Sequence, residues 1–83
     1  MADDQRPEQT DVRRYTVVVS RRDETYSVGV PAFPGCHTWG RSLEGALANA
    51  REAIELNIEE SRAAGAPIPP DEAPLVASVE VSD

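Results

Sequence analysis

The sequence predicts an α+β domain in which three short strands precede one long helix and a fourth strand follows it. Apolar and polar residues alternate over residues 13–20 and 25–30, apolar residues recur with a helical period over 43–64, and alternation returns over 75–81. These patterns are typical of strands and of an amphipathic helix. The order βββαβ predicts a single antiparallel-rich sheet with one helix packed on one face.

The length allows one domain with a small core. The chain has 83 residues, and the first dozen contain only Met1, Ala2 and Val12 as apolar residues, so we predict a disordered tail over 1–12 and a folded domain over 13–83. A domain of this size buries only about 60% of the surface that its unfolded chain exposes. Self-association is therefore expected as a source of further burial.

The first two strands are predicted to form a hairpin. In the first strand, residues 13–20, Tyr15, Val17 and Val19 share one face. A polar loop over 21–24 leads to the second strand, residues 25–30, with Tyr26 and Val28 facing the core. The opposite face, carrying Thr16, Val18, Thr25 and Ser27, is expected to stay uncovered by this chain.

A proline–glycine turn leads from the second strand to the third. Pro31 ends the second strand because it has no N–H to donate. Pro34 and Gly35 suit the two central positions of a type II turn, since proline fixes the first φ and glycine supplies the positive second one. Residues 36–39 then form a short third strand, which Gly40 ends.

The long helix is predicted over residues 43–64, with Ser42 as its N-cap and Gly65 just after its end. Its apolar stripe is expected to bury Leu43, Leu47, Ile54 and Ile58 against the sheet. A proline-rich crossover over 66–74 leads to the fourth strand, residues 75–81, which is expected to return to the sheet. That strand has Leu75, Ala77, Val79 and Val81 on one face.

The charge balance favours a basic partner over nucleic acid. Fifteen acidic residues face eight basic ones, giving a net charge of −7. Phosphate contacts need clustered cationic side chains, which disfavours nucleic-acid and anionic membrane surfaces. The charge either attracts a basic partner or serves solubility alone. The chain has no apolar signal or membrane segment and one cysteine, so a cytoplasmic protein is expected.

No catalytic or metal site is predicted. Cys36 and His37 are adjacent on a strand, so their side chains are expected to point to opposite faces and not to form a nucleophilic pair. They are the only Cys and the only His, too few for a metal site built from these ligands. The first strand contains no Asp or Glu, which disfavours a metal-dependent nuclease.

A set of residues follows in a fixed order and spacing over about residues 15–72. They are Tyr15, Tyr26, Pro31, Pro34-Gly35-Cys36, Gly40, Ala46, Leu47, Ala50, Ala53, Ile54, Gly65 and Ile68-Pro69. In this order they resemble the HicB-like antitoxin family. Two departures occur, at Ala32 and at Glu44-Gly45, where relatives often carry an acidic residue and paired glutamates.

The resemblance implies a partial ribonuclease-H-like sheet that lacks catalytic carboxylates. It also implies binding to a small basic HicA-like toxin, an mRNA-cleaving ribonuclease, whose active site the antitoxin covers. Many relatives carry a C-terminal DNA-binding domain; this chain ends at Asp83, so autonomous DNA binding is not expected.

We therefore predict a bacterial antitoxin-like binding protein that is not an enzyme, needs no cofactor and forms a dimer or tetramer. Phe33, His37, Trp39 and Arg41 are the predicted contacts, although Trp39 and Phe33 also suit a core. One alternative is a module of this fold without a toxin, which binds another protein or only itself. Another is a nucleic-acid-processing enzyme.

Overall fold

The computed structural model describes residues 12–83 and confirms an α+β arrangement. Three antiparallel strands in the order β1-β2-β3 form one sheet, and one helix packs on one face of it. The elements are β1 (Val18–Arg22), β2 (Thr25–Gly29), β3 (His37–Gly40) and α1 (Leu43–Ala63). The ribonuclease-H-like relation of this sheet stays a prediction.

The hairpin of β1 and β2 is shifted along the chain from its predicted place. Pairing runs from Val18 opposite Gly29 to Arg22 opposite Thr25, so the turn is only Asp23-Glu24, and Asp23 has a φ of 57°. The predicted first strand, residues 13–20, began too early. Continued backwards, the register would place Thr16 opposite Pro31, which has no N–H to offer a strand partner.

The segment between β2 and β3 consists of two consecutive turns. Phe33 N–H donates to the Val30 carbonyl at 3.0 Å, and Cys36 N–H donates to the Phe33 carbonyl at 2.9 Å. Gly35, with a φ of 87°, occupies the position of the second turn that requires a left-handed residue, as predicted. Val30 N–H closes the segment by donating to the Cys36 carbonyl at 3.2 Å.

Both ends of α1 agree with the sequence prediction. The Gly45 N–H donates to the Ser42 side-chain oxygen at 3.0 Å, which satisfies one of the free donors of the first turn. Ala64 caps the other end, and Gly65 follows with a left-handed φ of 69°. Gly65 N–H donates to the Arg62 carbonyl, so the chain leaves the helix in a tight turn.

The helix lies so close to the sheet that alanines, and not leucines, form the contact. Ala46 and Ala50 are buried against Val28. Gly40 of β3 lies directly beneath, since a Cβ there would be 2.5 Å from the Ala46 nitrogen. The prediction that Leu43 and Leu47 are buried was wrong: both are exposed, because no room for a large side chain exists at this end of the layer.

A second cluster lies farther along the helix. Val30, Ala32, Phe33 and Cys36 are buried, and Ile54 and Ile58 pack against them from the helix. The rings of Phe33 and Tyr15 are 5.2 Å apart and tilted by 59°. The two clusters contain only seven buried residues in the described part of the chain, and six of these have side chains no larger than that of valine. They are Val28, Val30, Ala32, Phe33, Cys36, Ala46 and Ala50.

The predicted fourth strand does not form within the single chain. Residues 66–83 have no regular structure, and Leu75, Val76, Val79 and Val81 are all exposed. An extended segment becomes a strand only by pairing with a sheet edge, and this one joins neither edge of the sheet of its own chain. We call residues 75–81 the arm. The predicted disordered tail lies outside the described residues, apart from the exposed Val12.

Substitution of Gly40 by alanine tests the close helix–sheet contact. The added methyl group would collide with backbone atoms of the helix, so we expect the free energy of unfolding in urea to fall by about 1–3 kcal/mol. The matched control is Gly29→Ala in β2, where the nearest atom belongs to the exposed side chain of His37. That variant should stay within about 0.5 kcal/mol of wild type; equal losses would contradict the contact.

Candidate partner-binding surface

The sheet face opposite the helix is uncovered by the described part of the chain, as the sequence predicted. The register places Val18 opposite Gly29, Ser20 opposite Ser27, and Ser27 opposite Trp39, and side chains directly across a ladder share a face. We call this surface the open face. Its members are Val18, Ser20, Arg22, Thr25, Ser27, Gly29, His37 and Trp39.

Trp39 is the largest apolar side chain on the open face. It is 56% exposed, although its backbone lies in the middle of β3. The Asn49 side-chain amide donates to the Trp39 carbonyl at 2.8 Å and so ties β3 to the helix. The indole is therefore carried on a well-held strand while its ring remains free to meet another molecule.

His37 lies over Gly29 on the neighbouring strand. A Cβ at Gly29 would be 3.3 Å from His37 Nδ1, so the absence of a side chain there makes room for the imidazole. Beside this pair is a shallow depression of about 410 Å³, lined by residues that include Val18, Ser27, Pro34 and His37. The open face thus has a shallow depression as well as exposed apolar side chains.

The other two predicted contact residues are placed differently. Phe33 is only 6% exposed and belongs to the core, where it supports the turns that lead into β3. Arg41 is exposed in the bend between β3 and α1. The structure therefore brings His37 and Trp39 together on the open face and separates Phe33 from them. The assignment of all four as contacts stays a prediction.

Cys36 and His37 point to opposite sides of the sheet. Cys36 is buried, and the Asn57 side-chain amide lies 3.8 Å from its sulfur, whereas His37 is exposed on the open face. Burial raises the pKa of the Cys36 thiol, which keeps it protonated and poorly nucleophilic. These two side chains do not form a nucleophile–base pair.

A second surface lies beside the helix at the start of β1. Tyr15 and Val17, which precede β1, and Leu47, Ile54 and Ile58 of α1 line a groove of about 780 Å³. We call it the helix groove. Arg13, Arg51 and Arg62 line it too, together with Glu55 and Glu59. It lies at the outer edge of the sheet, since β1 pairs only with β2 among the described strands.

Beside the helix groove, hydrogen bonds hold residues 69–71 against the segment that precedes β1. We call these bonds the polar clamp. Thr16 donates from its backbone nitrogen to Asp71 Oδ1 at 2.7 Å and from its hydroxyl to Asp71 Oδ2 at 2.8 Å. The Tyr15 hydroxyl donates to the Pro69 carbonyl at 2.6 Å. The sequence prediction missed this clamp. Its only signals in the sequence are the Tyr15-Thr16 pair and Asp71, which directly follows two prolines, and these are far apart along the chain.

Over 12–83, no group of three or more His, Cys, Asp and Glu side chains is placed to hold a metal ion. The helix in the same part of the chain is not apolar enough to cross a membrane.

Comparisons with known proteins identify relatives over most of the chain. A family model described as the HicB-like antitoxin of bacterial toxin–antitoxin systems matches residues 15–81. A UPF0150 protein of Thermoplasma acidophilum is 43% identical over 61 residues, which cover 72% of this chain and 88% of the relative. A UPF0150 protein of Synechocystis is 37% identical over 62 residues, 74% of this chain and 78% of the relative. No solved structure matches significantly.

Acid titration should release the Thr16–Asp71 clamp. The Thr16 N–H and hydroxyl stabilise the Asp71 carboxylate and lower its pKa. The clamp is therefore fully present above the unfolded pKa of about 3.9 and is lost as the pH falls through the lower folded pKa. We expect the Thr16 amide resonance to titrate with a midpoint below that of an unstructured aspartate. Asp71→Asn should abolish this titration and Glu72→Gln should preserve it; a normal midpoint would contradict the clamp.

Proposed function

Because the chain belongs to the HicB-like antitoxin family, we propose that it neutralises a small basic HicA-like toxin by covering the active site of that toxin. Membership of the family indicates a role in a toxin–antitoxin system. The proposal adds the class of the partner, an mRNA-cleaving ribonuclease, and the way it is inhibited.

The observation that carries the proposal is the uncovered sheet face with an exposed tryptophan on its edge strand β3. Exposed tryptophan on a rigid element is typical of the residues that dominate binding energy at protein interfaces. Trp39 and Val18 supply apolar surface, while His37 and the serines of the open face supply hydrogen-bonding groups. Such a mixture of an apolar anchor and polar neighbours fits a protein partner.

The charge of the chain supports a basic partner. The net charge is −7, and α1 exposes five glutamates against two arginines. A ribonuclease must attract phosphate, so its substrate groove is basic, and the net negative charge of this chain attracts such a protein at long range. The association rate should therefore fall as salt is added, because exposed charges are screened.

The same residues support a binding role over catalysis. Cys36, the only thiol of the chain, is buried with a raised pKa, and His37 lies on the other side of the sheet. The acidic residues of α1 project from its exposed surface and not toward the open face. An antitoxin that inhibits by covering the active site of its toxin needs no catalytic groups of its own.

Self-association and a cytoplasmic location complete the proposal. A core of seven buried residues within 12–83 is small for a stable domain, and contact with a second copy would enlarge it. An mRNA-cleaving partner acts where mRNA is translated, which is the cytoplasm of a bacterium.

Co-expression with the product of the neighbouring gene tests the whole proposal. We expect that product to be small and basic, to arrest growth alone, and to be retained by this chain during purification. Growth and mRNA integrity should recover when both are expressed. A neighbouring product that is neither basic nor retained would refute the antitoxin role and favour a module that binds only itself or another protein. RNA cleavage by the purified chain with Mg²⁺ or Mn²⁺ would instead favour the enzyme.

Substitution of Trp39 by alanine tests the open face as the toxin-binding surface. Truncating an interface anchor costs about 2 kcal/mol or more, so the dissociation constant for the toxin should rise about 30-fold. Leu56→Ala is the matched control, because Leu56 is 60% exposed but lies on the outer side of the helix. Its dissociation constant should stay within about twofold. Calorimetric titration measures both values, and an equal effect of the two changes would place the toxin elsewhere.

A further inference from the structure

The arm and the helix groove are both exposed in one copy of the chain. Leu75 is 99% exposed and Val79 is 84% exposed, while the groove beside α1 has an apolar floor made by residues such as Val17, Leu47 and Ile54. Exposed apolar surfaces of this kind in a small domain mark contact sites. Within the described residues of one copy, the arm thus pairs with no strand and does not fill the helix groove.

The groove has the position and length that a fourth strand needs. Its wall is the segment just before β1, and β1 is an edge strand of the sheet, so a strand lying there would extend the sheet and cover α1. The arm has seven residues and spans about 23 Å when extended. The helix surface from Leu47 to Ile58 covers a comparable length, about 17 Å.

The chemistry of the arm matches that of the groove. Leu75, Ala77, Val79 and Val81 alternate with Val76, Ser78 and Glu80, so one face of an extended arm is wholly apolar. The arm carries one acid, Glu80, and no base, whereas three arginines line the groove. The two glutamates of the groove moderate this attraction, so the apolar face provides most of the fit.

The arm does not line the groove of its own chain, although the chain leaves the domain beside that groove. The Tyr15–Pro69 and Thr16–Asp71 bonds fix residues 69–71 at the start of β1. Pro69, Pro70 and Pro74 then favour an extended path, because each proline restricts φ. The arm beyond Pro74 contacts neither sheet edge of its own chain and is available to another.

We propose that the arm of one copy lies in the helix groove of a second copy, as a fourth strand beside β1, and that the second copy returns its own arm. Reciprocal exchange of an identical element about a two-fold axis forms a closed dimer. Each core is then completed by the other chain. This inference deepens the self-association within the proposed function but needs no toxin, so its failure would leave toxin binding untouched.

Substitutions on the two faces of the arm test the exchange. Sedimentation velocity over a dilution series should show a dimer for the wild type. Val79→Glu places a charge on the apolar face, and the dimer dissociation constant should rise at least about tenfold. Because Val79 is exposed in the single chain, the circular dichroism of the monomer should be unchanged. Ser78→Glu, the matched control on the other face, should leave the dimer as it is.

Isotope-filtered NOE spectra identify the occupant of the groove. In a mixture of labelled and unlabelled wild-type chains, methyl groups of Val79 and Val81 should show contacts to Leu47, Ile54 or Ile58 of the other chain. Contacts found only within one chain would overturn the exchange, since the arm would then fill its own groove. A monomeric wild type, or a dimer weakened equally by both substitutions or by neither, would overturn it as well.

Discussion

The close approach of the helix to the sheet at Gly40 is the constraint on which the rest of the fold depends. With no side chain on Gly40, the backbone at Ala46 can lie directly on β3, and only alanines fit along that line of contact. The larger Leu43 and Leu47 are displaced to the side. Leu47 thereby becomes one wall of the helix groove, so the spacing between the two layers creates the surface that a further strand can fill.

Features that depend on neighbouring residues were predictable from the sequence. The Ser42 cap, the left-handed Gly35 and Gly65, and the divergence of Cys36 and His37 each follow from side-chain chemistry or strand geometry within a few residues. How deeply the apolar stripe of α1 is buried was not predictable from the sequence, because periodicity gives the direction of a side chain and not its distance to the opposing layer. The periodicity therefore predicted that Leu47 is buried, whereas the structure shows that it is exposed.

The candidate site shows the same division. The pleat of β3 places His37 and Trp39 on one face, and the register shows that this face is the open one. The burial of Phe33 was not predictable, because it depends on Tyr15 and on helix residues more than twenty positions away. Alternation predicted a fourth strand over the arm, and no strand forms there within the single chain, because alternation does not name the edge with which a strand pairs or the chain to which that edge belongs.

The single tryptophan gives the open face an optical reporter of its own. Trp39 is half in solvent, so covering it should shift its fluorescence emission toward the blue and protect it from dissolved quenchers. Residues 66–83 contain no aromatic side chain, and the helix groove has only Tyr15. Binding in the helix groove should therefore leave the emission spectrum of the indole nearly unchanged. Tryptophan fluorescence thus distinguishes a partner on the open face from one in the groove.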